Sequence, residues 1–358
     1  MAIYFITWFS VFLLAFFIRK TDLAFENKIS YSKIDHTLFA KFLFFLGCCL
    51  LIFVAGCRYY VGSDYYAYYG WYQSYAESFF ERLRTFNEPG ISFIYWLTVK
   101  FVNDGFACVF VTNAIMIFLV LHVMKNNTDN IALALVLYSM ICWTATFNGM
   151  RQALATAILF CGLPYLRDKK LIKYCIIVFL AFLCHKSAIV LILLYFIVHR
   201  KIDGKNLIVL LIASFVVLYS YDAVFNFTNW VLDKDIDTQG DYISRAVNFF
   251  RVAANIAPSV FFLIRYWKKE KSEPESFYLS LLIIHGVVSL VTLNSAYLAR
   301  LNMYTAPFEI IAISELVKGK KESKGVLELG IIILFFIFEI YQVSVSSDLN
   351  TFNWIWSR

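Results

Sequence analysis

Seven residues, Arg58-Tyr59-Tyr60-Val61-Gly62-Ser63-Asp64, set an arginine, a glycine and an aspartate at the head of an aromatic run that extends to Tyr75. Eight tyrosines, Tyr68 among them, and Trp71 stand between residues 59 and 75. An arginine fork pairs with phosphate or carboxylate, and an aspartate accepts hydroxyl hydrogens. Flat rings cover the apolar faces of a pyranose. The same rings also gather at any membrane interface, being apolar with a polar tip. Both readings stand for the tyrosines, while Arg58 and Asp64 carry the chemical one.

Three later stretches add to that inventory. Asn148-Gly149-Met150-Arg151-Gln152 opens an apolar segment and puts Arg151 and Gln152 in its first turn, where open backbone N–H groups seat an anion. The other reading of Arg151 is a snorkelling anchor. Burying it partway costs roughly 2.5 to 3.5 kcal/mol and asks for a partner. Cys184-His185-Lys186-Ser187 joins two short apolar runs. A neutral imidazole there, with an ordinary pKa of about 6.5, takes a proton from a sugar hydroxyl, or else serves as a helix–helix hydrogen-bond partner. Arg300 and Tyr304 are four apart and share a helix face. Glu309, deeper on that helix, is either the partner of a buried cation or part of a polar path.

Other chemistry is weakly signalled. Asp233-Lys234-Asp235-Ile236-Asp237 has the carboxylate spacing of a divalent-metal motif, but such spacing is common in a solvated acidic loop. The sequons at Asn126 and Asn226 carry no weight without a secretory context. No Walker loop, dinucleotide fingerprint, zinc spacing or Gly-x-Ser-x-Gly elbow occurs. No cofactor, metal or nucleic-acid partner is expected. The eight cysteines lie almost wholly inside apolar runs and read as small buried hydrophobes, with Cys57 the most accessible.

The elements that must hold these residues are membrane helices. Hydrophobic residues make up 61% of 358 positions and charged ones 16%, with apolar runs that reach or approach bilayer length. The pattern predicts an all-α, polytopic bundle forming one integral-membrane domain over 1–358. Twelve spans are expected, near 2–18, 37–57, 105–124, 130–147, 151–166, 171–185, 187–199, 206–222, 249–266, 277–294, 298–317 and 325–345. The segment 91–102 is too short to cross and reads as re-entrant or interfacial. The first apolar stretch is followed, not preceded, by Arg19-Lys20, so it reads as a retained span with its N-terminus outside.

Basic turns at 19–33, 167–173, 200–205, 265–271 and 318–324 then fall on one side, cytoplasmic by the positive-inside rule. Arg58, Asp64, Arg151, His185, Arg251 and Arg300 fall at the opposite face, where the longest outer segments are 58–104 and 223–248. The inner turns are mostly lysine, the outer face mostly arginine. Lysine is enough to orient a chain in a bilayer, whereas arginine suits bidentate binding of oxyanions.

Arg58, Gly62, Asp64 and Tyr68, then Glu88-Pro89-Gly90, then Asn148, Arg151 and Gln152, then His185 and Ser187, then Arg300 and Tyr304 occur in that order. Together they resemble the EpsG-like family of Wzy-type polysaccharide polymerases. The resemblance implies an enzyme of the bacterial inner membrane, working at its outer face on oligosaccharide repeat units carried by undecaprenyl pyrophosphate. It also leaves room for a partner that regulates chain length. A pyrophosphate leaving group needs its charge neutralised by a metal or by arginines. Arg58, Arg151 and Arg300 are the candidates, with Arg251 in reserve. His185 is the first choice as base for the acceptor hydroxyl and Asp64 the second. A flippase for the same lipid-linked sugar is the rival reading, kept in view by Lys100, Glu309 and Glu339. A ligase of the O-antigen type would need nearly the same site.

Overall fold

In a computed structural model, the described residues are 1–26, 33–77, 79–86, 88–200, 202–220, 227, 230, 248–293, 295, 298–318 and 321–357. Most of the outer segment 223–248, including the acidic stretch Asp233–Asp237 and the sequon at Asn226, lies outside them. The described residues form helices and no strand. Two helices open the chain, α1 (Ala2–Glu26) and α2 (Lys33–Gly56). Four shorter ones follow, α3 (Tyr65–Gly70), α4 (Tyr72–Glu77), α5 (Phe79–Phe86) and α6 (Pro89–Phe101). Next come α7 (Gly105–Asn127), α8 (Ile131–Ile141), α9 (Met150–Phe160), α10 (Leu163–Arg167), α11 (Leu171–Phe182), α12 (Ile192–Val198) and α13 (Gly204–Tyr219). Among the described residues the chain then continues with α14 (Phe249–Tyr266), α15 (Glu273–Val291), α16 (Asn302–Leu316) and α17 (Lys321–Val345).

Six helical stretches are long and apolar enough to cross a bilayer: Ala2–Thr21, Leu38–Gly56, Gly105–Asn127, Phe249–Tyr266, Glu273–Val291 and Lys324–Val345. Several expected spans are instead broken. The 130–147 stretch is α8 followed by a 3₁₀ turn at Thr144–Phe147. The 151–166 stretch splits into α9 and α10, where Gly162 and Pro164 interrupt the run. The 187–199 stretch begins as the 3₁₀ helix Lys186–Leu191, and the 298–317 stretch as the 3₁₀ turn Leu298–Leu301. Helix α6 has 13 residues, so it rises only about 20 Å against a hydrocarbon core of about 30 Å. Its start meets Arg151 and His185 through Glu88, and its end meets Tyr69 through Asp104.

Apolar helices supply the packing and a few tryptophans fix its register. Helix α1 packs on α2 and α8, α15 lies between α14 and α16, and α9 touches α7, α11 and α16. The Trp8 indole donates to the Ser139 carbonyl at 3.0 Å and the Trp143 indole to that of Leu51 at 3.1 Å. Loops gather at the two ends. At one, Thr128 donates to Glu315, Lys318 pairs with Asp129 and Lys169 with Glu273. At the other, the N-terminal ammonium reaches the Asn350 carbonyl, and the residues after α17 run back along the Arg58 loop.

That returning strap is pinned by backbone bonds. Tyr59 N–H donates to Asn353, Ile355 N–H to Cys57 and Gly62 N–H to Asp348, at 2.9, 2.9 and 3.0 Å. Gly62 has φ of +100°, and a Cβ there would sit 2.5 Å from the Phe147 carbonyl oxygen. Only glycine fits. Gly62→Ala is expected to destabilise the protein by about 1–3 kcal/mol, read as a lower thermal midpoint in detergent. Gly70→Ala, where a Cβ meets no atom, is the matched control.

Candidate functional site

Glu88 is the hub of a polar cluster at the end of the bundle where the returning strap lies. It precedes α6, where Pro89 starts the helix without needing its own N–H. Gly90 N–H donates to the Leu183 carbonyl at 2.7 Å, and a Cβ on Gly90 would lie 2.4 Å from Cys184 Sγ. This backbone approach brings the start of α6 onto the turn that carries His185. Glu88 Oε1 then lies 2.9 Å from His185 Nδ1, and Oε2 accepts from Arg151 Nη1 at 2.7 Å. The glutamate is 3% exposed. Burial pushes its carboxyl up, but the hydrogen bond from His185 and the charges of Arg151 and His185 outweigh that and hold it below its ordinary value. An ionised Glu88 accepts hydrogen bonds, which assigns the proton to Nδ1 and makes Nε2 the basic nitrogen when the imidazole is neutral. Arg151 also lies over the Trp71 ring at 5.4 Å and hydrogen-bonds with Tyr68.

Asp64 forms a second centre. Its Oδ2 accepts from Gly149 N–H at 2.9 Å, just before α9, and lies 3.7 Å from Arg300 Nη2. Asn148 Oδ1 accepts from the Ser63 amide at 2.7 Å. Gln152 donates to the Arg300 carbonyl at 2.8 Å, and the Ser187 and Tyr304 hydroxyls meet at 2.8 Å. The two centres are joined through consecutive residues of α9, Arg151 and Gln152. Beside them lies a cavity of about 430 Å³ whose wall includes Ser63, Asn148, Arg251 and Arg300.

The residues singled out by type and spacing therefore separate by position. Arg151 and His185 meet at Glu88, with Tyr68 bonded to Arg151; Asp64, Arg300 and Gln152 form the second centre; and Tyr304 pairs with Ser187, two residues from His185. Arg251 stands on the cavity wall. Arg58 is fully buried and off that wall. Its guanidinium donates to Asn113 Oδ1 at 3.0 Å, to the Val61 carbonyl at 3.2 Å and to the Ala55 carbonyl. Burial pushes its pKa down to about 10, which leaves it cationic at neutral pH. Glu88 stood in the Glu88-Pro89-Gly90 motif with no role assigned to it; its signal in the sequence is a carboxylate placed just before Pro-Gly. Glu309, left open between two roles, lies 3.0 Å from His285 Nε2. Among the described residues no group of three or more His, Cys, Asp or Glu could hold a metal ion.

A family model described as the EpsG family matches residues 41–356. No curated protein and no solved structure matches the chain. The family match and the six span-length helices identify a multi-pass membrane protein of polysaccharide synthesis, of the Wzy type.

Glu88→Gln is expected to cost about 3–5 kcal/mol at neutral pH, because it leaves the Arg151 charge uncompensated. With a depressed folded-state pKa, the carboxylate contributes fully above its ordinary value of about 4.5 and loses that contribution as pH falls through the folded value. Thermal unfolding of both proteins in detergent should show a gap that is widest near pH 7 and narrows below pH 4.5.

Proposed function

Because the chain belongs to the EpsG family, we propose that it polymerises lipid-linked oligosaccharide repeat units at the outer face of a bacterial inner membrane. The observation that carries this reading is Glu88 holding an arginine fork and an imidazole side by side. Donor and acceptor are each a saccharide on an undecaprenyl pyrophosphate carrier. An acceptor hydroxyl attacks the anomeric carbon of the donor, a new C–O bond forms, and the bond from that carbon to the pyrophosphate breaks. The electron pair leaves with the pyrophosphate, and the hydroxyl proton passes to His185 Nε2.

Glu88 holds the imidazole in the tautomer that can take the proton and stabilises the imidazolium that results, so it is a positioning residue. Arg151 and Arg300 neutralise the pyrophosphate as its charge develops. Asp64 orients Arg300 and the Gly149 amide, and stands second to His185 as proton acceptor. Gln152 and Tyr304 fix the Arg300 turn and the Ser187 turn. Arg58 supports this geometry from below.

In cells that lack the gene, His185→Ala should give a surface polysaccharide that stops at a single repeat unit, while the intact gene restores the ladder on a gel. Loss of every repeat unit would point to export or ligation, and an unchanged ladder would remove the polymerase reading. Arg151→Lys should lower transfer at least tenfold, since a point charge does not replace a fork. Near-normal activity would reduce Arg151 to an anchor. Transfer should also survive chelation of divalent cations; loss with chelator and recovery with magnesium would sink the arginine-only account.

A further inference from the structure

The cavity beside the polar cluster continues inward between α7, α8, α9, α14, α15, α16 and α17. Those helices are apolar, yet its wall is not. Asn255, His285, Asn302 and Glu339 all line it and are each more than nine-tenths buried. Amide and ionisable groups at this depth cost free energy and are kept where they face water, a partner or a ligand.

Three of these side chains, Asn302, His285 and Glu339, are also held in place. Asn302 accepts from Ser289 at 2.9 Å and donates to Thr292 at 3.2 Å. His285 lies 2.7 Å from the Thr305 hydroxyl and 3.0 Å from Glu309. Thr144 donates to Glu339, and a carboxylate has roughly four acceptor sites, so most of its capacity is still to be used. Basic and acidic groups stand together on the wall, Arg251 and Arg300 beside Glu339 and Asp348. A wall of this kind favours neither an anion nor a cation. It fits a neutral molecule rich in both donors and acceptors, with apolar C–H faces to meet Met116, Val120 and Pro307. The volume falls within the range of small-molecule sites.

We infer that this cavity is a saccharide subsite, in which Glu339, Gln342 and Arg251 read the hydroxyl and amide groups of a neutral sugar ring. Naming the ligand as a repeat-unit sugar rests on the polymerase reading. The mouth, at Ser63 and Arg300, is shared with the polar cluster, so a ring seated in the cavity places its neighbour at the reacting centre.

The test uses the full-length protein in detergent and, as probe, the free oligosaccharide released by mild acid from the host's lipid-linked repeat unit. Binding is read by saturation-transfer NMR and titration. Ala306→Leu fills the cavity from its wall, and Gln342→Leu removes a polar group without adding bulk. Each should weaken binding at least tenfold. If Ala306→Leu fails to fold, Gln342→Leu decides alone. Unchanged binding in the folded variants, or no binding by the wild type, overturns the subsite. Oligosaccharide binding that these variants weaken, in a protein that makes no ladder in cells, would keep the subsite and sink the polymerase reading. A ladder with binding untouched by the variants would do the reverse.

Discussion

A single buried guanidinium sets one end of this bundle. Arg58 follows the last turn of α2, and its donors reach back to Ala55, forward to Val61 and across to Asn113 on α7. Its charge lies over the Phe147 ring at 4.4 Å and the Tyr65 ring at 5.6 Å. Taking a guanidinium out of water costs several kcal/mol, and hydrogen bonds with aromatic faces offset part of that cost. The arrangement therefore over-determines its neighbours. Val61, Gly62 and Ser63 cannot shift without stranding the charge, and the strap from 346 to 357 is hydrogen-bonded to the same loop. Asp64, one residue further, inherits that rigidity and carries it to Gly149 and Arg300.

Glu88 plays the corresponding part on the other side of the cluster, with the charge reversed. Arg58 is a cation held through Nε and Nη1 by neutral acceptors, two of them carbonyls, and so it fixes backbone. Glu88 is an anion held by a guanidinium and an imidazole from distant segments, and so it fixes side chains. The carboxylate sets both the aim of the Arg151 fork and the tautomer of His185, two properties that the proposed transfer from a pyrophosphate-linked donor to a hydroxyl would need at once. Neither partner is fully enclosed, at 26% and 16% side-chain exposure against 4% for Glu88. The anchor is inside and the working ends face out.

The bundle itself was legible from apolar run lengths, because a helix signal is local and repeats every few residues. So was the gathering of Asp64, Arg151, His185 and Arg300, through the loss of lysine bias at one set of loops. Three things were not legible, each for a physical reason. A hydropathy window averages over the breaks at 142–149 and 161–163, so 130–147 and 151–166 read as whole spans. Residue type does not distinguish a partly exposed arginine from one fully buried, so Arg58 stood with Arg151. The Glu88–His185 contact depends on Gly90 meeting Leu183, and no pattern within either segment announces a close approach between two segments far apart in the chain.

The broken helices and the site have a common cause. Backbone outside a regular helix must find hydrogen bonds within the protein, since lipid offers none. The turns at 142–149, 183–187 and 298–301 do so at one end of the bundle, against the Arg58–Asp64 loop, α6 and α9. Gly149 N–H goes to Asp64, the Arg300 carbonyl takes Gln152, and the Leu183 carbonyl takes Gly90. Shortening those helices moves polar backbone and its side chains below the level an uninterrupted span would allow, and opens room among them. A protein that only needed to cross the membrane would gain nothing from these breaks. One that must bring a charged pyrophosphate and a sugar hydroxyl together beside lipid requires such a recess, polar within and greasy without.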